Sequence, residues 1–226
     1  MHRFLAVRSE AGKIIANGEF SQVAQGDEVT MHLTFHFLDG STDDETTTYS
    51  QQGTFRLVRY HHIQNGPFFA KPADFAIEAA TGIATSRTTD KKGKIHVESE
   101  HIDLPDDLAN GFVGTLLLNV PPNTAPFRVG ILAPFGGGRI VRILISPEGE
   151  QSFRAGGQTL KATVFRIHPE LGGIIGVIAS LIGLQPKDVT VWILEGEQPA
   201  VVRIVGQLGG YGPVVDSQLE GTSFGR

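Results

Sequence analysis

Between Thr30 and Phe37 apolar and polar residues alternate without a break. Met31, Leu33, Phe35 and Phe37 fall on one side, and Thr30, His32, Thr34 and His36 on the other. A period of two marks a strand with one buried face. Asp39-Gly40 follows at once and predicts a tight hairpin, because both residues accept positive φ. The Thr-rich run Asp43 to Ser50 is the return strand. The same reading gives strands over Thr54–Gln64 (ended by Asn65-Gly66-Pro67), Ala73–Ala80, Ile83–Thr89 and Ile95–Ile102. His2–Arg8 and Lys13–Gln22 form a further hairpin that turns at Glu10-Ala11-Gly12. Such a succession predicts a meander, with neighbours in sequence also neighbours in the sheet.

The pattern then changes. Leu104-Pro105-Asp106-Asp107-Leu108 opens a predicted helix that runs to about Leu118, with proline in its first turn and aspartates at its positive end. Pro121-Pro122 stops it. Strands resume at Phe127–Pro134, Ile140–Ser146, Gln151–Arg154, Thr159–His168, Val189–Leu194, Ala200–Val205 and Val214–Leu219. About a dozen strands predict a mainly β fold: one strongly curved antiparallel sheet, a half-barrel or open barrel, with one or two short helices on its concave side. Residues 1–226 are expected to form a single β-rich domain, the N-terminal hairpins over 1–52 continuous with the main sheet.

One stretch stands apart. From Leu171 to Leu184 there is no charged residue, and Leu171, Ile174, Ile175, Ile178, Leu181 and Ile182 recur at helical spacing. The other side carries Gly172, Gly173, Gly176, Ala179 and Gly183, where a water-facing helix would carry polar side chains. Three roles fit: a core helix plugging the concave side of the sheet, an apolar flap over a lipid-like cavity, or an oligomer interface. Ile174, Ile175, Ile178, Leu181 and Ile182, with Trp192, are the residues expected to meet an apolar ligand. The stretch is shorter than the roughly 20 residues of a spanning helix, so the chain is not expected to cross a bilayer by a helix.

Composition narrows the partners. The 226 residues carry a net charge of −5, and no basic stripe with interleaved aromatics argues for nucleic acid. Lys91-Lys92-Gly93-Lys94 reads as a hairpin tip. The absence of cysteine removes disulfides, thiolate metal sites and cysteine nucleophiles. Met1-His2-Arg3-Phe4 leads directly into a strand-like segment, with no leader pattern.

Candidate chemistry is sparse. His32 and His36 share a strand face but stand roughly 13 Å apart, too far to ligate one ion in a regular strand. The adjacent His61 and His62 point to opposite faces, and His96 and His101 differ in parity. Registers around Asp39-Gly40 place His36 opposite Asp43, Asp44 or Glu45, which gives a His–carboxylate pair on a solvated face. Asp103, Asp106 and Asp107 lack the calcium-loop grammar and read as helix caps. Gly136-Gly137-Gly138 and Gly206 to Gly212 fit neither the phosphate-loop nor the dinucleotide spacing. Nucleophile-elbow and Ser-x-x-Lys patterns are absent. No catalytic, cofactor-binding or metal residue is therefore assigned. A turn at Gly196–Pro199 puts Arg203 across from Trp192, a cation–π pair.

Leu104-Pro-Asp-Asp-Leu-Ala-Asn-Gly111, His168-Pro-Glu-Leu-Gly-Gly173 and Gln185-Pro-Lys-Asp-Val-Thr-Val-Trp192 with Glu195-Gly and Pro199 together resemble an uncharacterised family of bacterial envelope proteins. Its architecture is similar to the half-barrel lipoprotein carriers LolA and LolB. The resemblance spans roughly residues 55–220 and implies a periplasmic or envelope protein with a concave apolar face. The expectation is a non-enzymatic protein that binds or carries a lipid-like or other apolar ligand. The alternatives are a structural module whose Thr-rich, His-bearing face binds an envelope protein, or an enzyme using the His36–acid pair with a metal or as a general base.

Overall fold

The structure, a computed structural model, describes residues 1–70, 72–89, 93–133, 138–170, 186–196, 198–208 and 212–224. Those residues are mainly β. Fifteen strands belong to one antiparallel sheet that does not close, and the only helix among the described residues is short. Contacts divide the chain into two compact units. One comprises Met1–Arg3, Ile15–Phe112 and Gly130–Ile140; the other Phe4–Ile14, Val113–Val129 and Val141–Arg226.

The first unit is a meander whose strands lie side by side in chain order after β1 (His2–Ser9). They are β2 (Ile14–Gln25), β3 (Glu28–Phe37), β4 (Thr42–Ser50), β5 (Arg56–Asn65), β6 (Ala73–Glu78), β7 (Ile83–Thr89) and β8 (Ile95–His101). The alternation read from β3 is realised: Met31, Phe35 and Phe37 are buried and Leu33 half-buried, with Val29 extending the same face, while Thr30, His32 and His36 face out. The β3–β4 turn differs from the expected two-residue hairpin. Phe37 donates its backbone N–H to Ser41, which leaves Leu38-Asp39-Gly40 as a three-residue turn with Gly40 at φ +86°. Asp39 Oδ1 fixes the turn by accepting from the Ser41 N–H at 2.9 Å. The register therefore pairs His36 with Thr42 and Thr34 with Asp44. The predicted His36–carboxylate pairing is thus corrected by the extra turn residue.

The predicted helix from Leu104 is also corrected. Residues 104–112 form a non-helical strap, and the helix α1 is limited to Val113–Leu117 in the second unit. Leu108 makes a parallel bridge to Gly130, through Ala109 N–H to the Gly130 carbonyl at 2.8 Å and Gly130 N–H to the Asp107 carbonyl at 3.1 Å. The Leu108 and Phe112 N–H groups close turns onto Pro105 and Ala109. Gly111, at φ +76°, breaks any continuation. Asp106 and Asp107 accordingly cap no helix; Asp106 pairs with Arg56. Asn110 clamps the strap by donating to the Leu132 carbonyl and accepting the Leu132 N–H, at 2.9 and 2.8 Å.

In the second unit the strand order is β15 (Thr222–Phe224), β10 (Ile140–Ala155), β11 (Gln158–Glu170), β12 (Val189–Leu194), β13 (Ala200–Gln207), β14 (Val214–Leu219) and β1. β9 (Phe127–Leu132) lies off this path, its residues 127–129 belonging to this unit and 130–132 to the first. Two strands predicted over Ile140–Ser146 and Gln151–Arg154 are one, because a register shift between Pro147 and Glu150 absorbs the proline and Gly149, which sits at φ +99°. The three-residue β15 had no separate signal. Phe153, Ala162, Trp192, Ala200 and Val202 form a buried cluster flanked by Leu160, Leu194, Leu219 and Phe224.

Candidate functional site

Two polar groupings stand out in the first unit, on opposite faces of the sheet, with β4 contributing to both. The outward one follows from β3 putting His32, Thr34 and His36 outward, between β2 and β4. With His2, Glu19, Ser21 and Asp44 they line a cleft of about 320 Å³. His32 Nε2 is 2.8 Å from Asp44 Oδ2, and the Thr34 hydroxyl donates to the same carboxylate oxygen at 3.0 Å. His2 Nε2 lies 3.6 Å from Glu19 Oε2. His61 and Asp74 add a third such pair on this outward side, at 2.9 Å. Each is solvent-exposed, so each contributes on the order of 0–1 kcal/mol to stability. Among the described residues no group of three or more His, Asp or Glu side chains is placed to hold a metal ion.

The inward grouping was not anticipated. β4 turns Asp43, Glu45 and Thr47 toward the core, and β5 turns Tyr60, His62 and Gln64 the same way. Asp43 and His62 are both buried, with Oδ1 and Nε2 2.8 Å apart. Gln64 donates to Asp43 Oδ2 at 2.7 Å, and the Tyr60 hydroxyl donates to Glu45 Oε1 at 2.8 Å. Among the described residues every buried side-chain polar atom has a partner. The adjacent His61 and His62 do point to opposite faces, as the strand period requires.

Burial raises the Glu45 carboxyl above its ordinary range; nearby Asp43 adds to the effect, while His62 and the Tyr60 hydrogen bond oppose it. Burial alone would lower the His62 imidazole. The hydrogen bond that His62 donates to Asp43 and the charges of Glu45, Asp43 and Asp44 outweigh it, and the net shift is upward. Tyr60 is pushed well above its ordinary value by burial and by Glu45. The folded cluster therefore favours its protonated forms.

Of the residues expected to meet an apolar ligand, Ile174, Ile175, Ile178, Leu181 and Ile182 lie outside the described residues. Trp192 is buried in the second unit. Its register partner is Arg203, as expected, with the guanidinium 4.6 Å from the indole centroid. Arg203 also lies over Phe224 at 4.9 Å and binds Asp216 through two hydrogen bonds of 2.9 and 2.8 Å. The indole N–H donates to Gln151 at 2.7 Å. Trp192 is thus surrounded by the chain's own side chains.

In comparisons with known proteins, no family model, no curated protein and no solved structure matches this chain.

Proposed function

We propose that the protein is a non-enzymatic binding protein of the bacterial envelope that holds a lipid-like apolar ligand. One observation carries the reading. β11 and β12 are adjacent antiparallel strands, with Ile167 paired to Val189, so a short turn would suffice to join them. Strands so arranged are commonly joined by about two to five residues. Here the connection takes residues 171–188, and from Leu171 to Leu184 its sequence carries no charge. Connections beyond about 12–15 residues are uncommon in compact domains and belong mostly to functional or linker segments. Burying such aliphatic side chains is worth about 1.5–3 kcal/mol each, which an apolar ligand would share. In this reading the sheet is a curved half-barrel, and Ile174, Ile175, Ile178, Leu181 and Ile182 meet the ligand from its concave side.

The test is native mass spectrometry and lipid extraction of the purified protein, alongside a variant in which a short Asn-Gly turn replaces residues 171–186. The expected result is a co-purifying apolar molecule in the wild type and none in a folded variant. A wild type that neither carries an apolar molecule nor binds a fluorescent fatty acid removes the proposal, as does a variant that binds equally well.

A protein-interaction module is the second reading. It is favoured by Ile83, Ile95 and Val97, which are 41 %, 62 % and 55 % exposed and share the outward face of β7 and β8. Cross-linking in envelope extract, lost in an Ile95→Lys/Val97→Lys variant that still retains lipid, would favour this reading over the first.

A further inference from the structure

We infer that the Asp43–His62 and Glu45–Tyr60 pairs form a proton-controlled latch beneath the 104–112 strap, which seats on β4 and β5 while the cluster keeps its protons and lifts when they leave. The inference is independent of the ligand reading.

The geometry joins strap and cluster directly. Gly111 comes so close to the sheet that a Cβ there would overlap Thr47 Oγ1 and stand 2.9 Å from the Tyr60 ring. Phe112 stacks on Tyr49 with centroids 5.3 Å apart. Thr47 lies two positions from Glu45 on the same face of β4, and Tyr60 is Glu45's hydrogen-bond donor. The neighbouring strands offer no counter-charge. β3 places Phe35 opposite Asp43 and Leu33 opposite Glu45, while β6 places Phe75 opposite His62, Ile77 opposite Tyr60 and Ala73 opposite Gln64. Asp44 acts on His62 from the outward face. The other titratable groups nearby are Tyr49, whose hydroxyl accepts from Gln22, and the strap's Asp106 and Asp107, of which Asp106 pairs with Arg56.

Loss of the Glu45 proton sets a second carboxylate beside Asp43, and loss of the His62 proton leaves Asp43 without a counter-charge. A buried charge in either position draws in water rather than remaining dry. Water reaches the cluster from beneath the strap, whose hold on β4 and β5 includes packing by Gly111 and Phe112 and one exposed ion pair. Glu45 is raised chiefly by burial, which lifting relieves, so the seated strap binds more protons than the lifted one. Lifting thus becomes easier as pH rises, from the ordinary glutamate range through the raised value of Glu45. Linkage makes the opening constant change by up to about tenfold per pH unit for each proton released.

Hydrogen exchange of the full chain between pH 5 and 8.5, corrected for intrinsic rates, reads this directly. Protection of residues 104–112 should fall several-fold or more across the range while β11–β13 keep theirs. Glu45→Gln preserves an acceptor for Tyr60 and should flatten the slope. Adding Asp43→Val, His62→Phe and Gln64→Leu to Glu45→Gln, which removes the remaining charges, should flatten it further. Strap protection that is independent of pH in the wild type overturns the inference, whatever the variants do. So does an undiminished slope in both variants.

Discussion

Replacing His62 by phenylalanine isolates the energetic weight of the buried pair. The substitution keeps an aromatic ring beside Phe75 and removes the partner that stands 2.8 Å from Asp43. Asp43 then keeps only the Gln64 hydrogen bond, with Phe35 opposite it on β3. Breaking one side of a buried ion pair typically costs about 3–5 kcal/mol. A ceiling applies, since the stranded carboxylate can take up a proton instead of remaining charged. From an ordinary value near 4 to pH 7 that costs at most about 4 kcal/mol, at roughly 1.4 kcal/mol per pH unit. The sign follows from the raised carboxyl in the variant: its folded state binds the extra proton, so its deficit relative to wild type grows as pH rises above 4 and shrinks as pH falls. Urea unfolding followed by circular dichroism at pH 5, 6 and 7 measures this, with the slope m confirming that the denatured states match. The Asp43→Val/His62→Phe/Gln64→Leu variant should recover most of the loss, because apolar replacement of a whole buried polar group is commonly neutral or stabilising. A His62→Phe variant within about 1 kcal/mol of wild type at pH 7, or a triple variant as unstable as its single substitutions added together, would refute the reasoning.

Gly66→Ala should destabilise by about 2–5 kcal/mol, from a left-handed backbone and overpacking. Gly66 sits at φ +104°, and a Cβ there would lie 2.6 Å from the Ser41 Cα and 2.5 Å from its Oγ, which already accepts from the Phe68 N–H. An unchanged urea midpoint would show that the β3–β4 turn and residue 66 are not in this contact. Arg203→Met should cost about 1–3 kcal/mol through loss of the Asp216 hydrogen bonds and the stack on Trp192. Because Trp192 is the only tryptophan, its fluorescence reports the change, and an emission spectrum and stability equal to wild type would count against the stack.

The sheet was legible wherever one parity was apolar and the other polar. β3 reads from its residues alone, whereas Trp192 reaches Arg203 only because a register shift between Trp192 and Ile193 offsets a turn one residue longer than the sequence suggests. Thr42–Ser50 is different, because both of its parities are polar and its sequence does not say which faces in. In β5 the apolar Ile63 suggests one inward parity, while Tyr60, His62 and Gln64 take the opposite one. A slip of one residue exchanges the two faces of a strand, so the assignment rests on register rather than composition. The register rests in turn on whether the β3–β4 turn holds two residues or three. At Leu104, Leu108 and Phe112 the apolar spacing imitates a helix, yet a strap of turns and one bridge to Gly130 buries Leu108 and Phe112 without one.

These failures of pattern are physically linked. Once Leu38-Asp39-Gly40 forms a three-residue turn, Phe35 falls opposite Asp43, and a buried phenylalanine obliges its pleat neighbour to face the core as well. Asp43 is thereby committed to the interior, where it is tolerable only with donors from the next strand. β5 supplies them as His62 and Gln64, in the parity that leaves Ile63 outside. The strap must then lie flat enough to seal this face, which the left-handed Gly111 permits and a helix would not. A chain selected for stability alone would gain by filling these positions with aliphatic residues and leaving Ile63 inside. The sequence instead sets two carboxylates, an imidazole and a phenol on one inward face of β4 and β5, an arrangement that stability alone does not require.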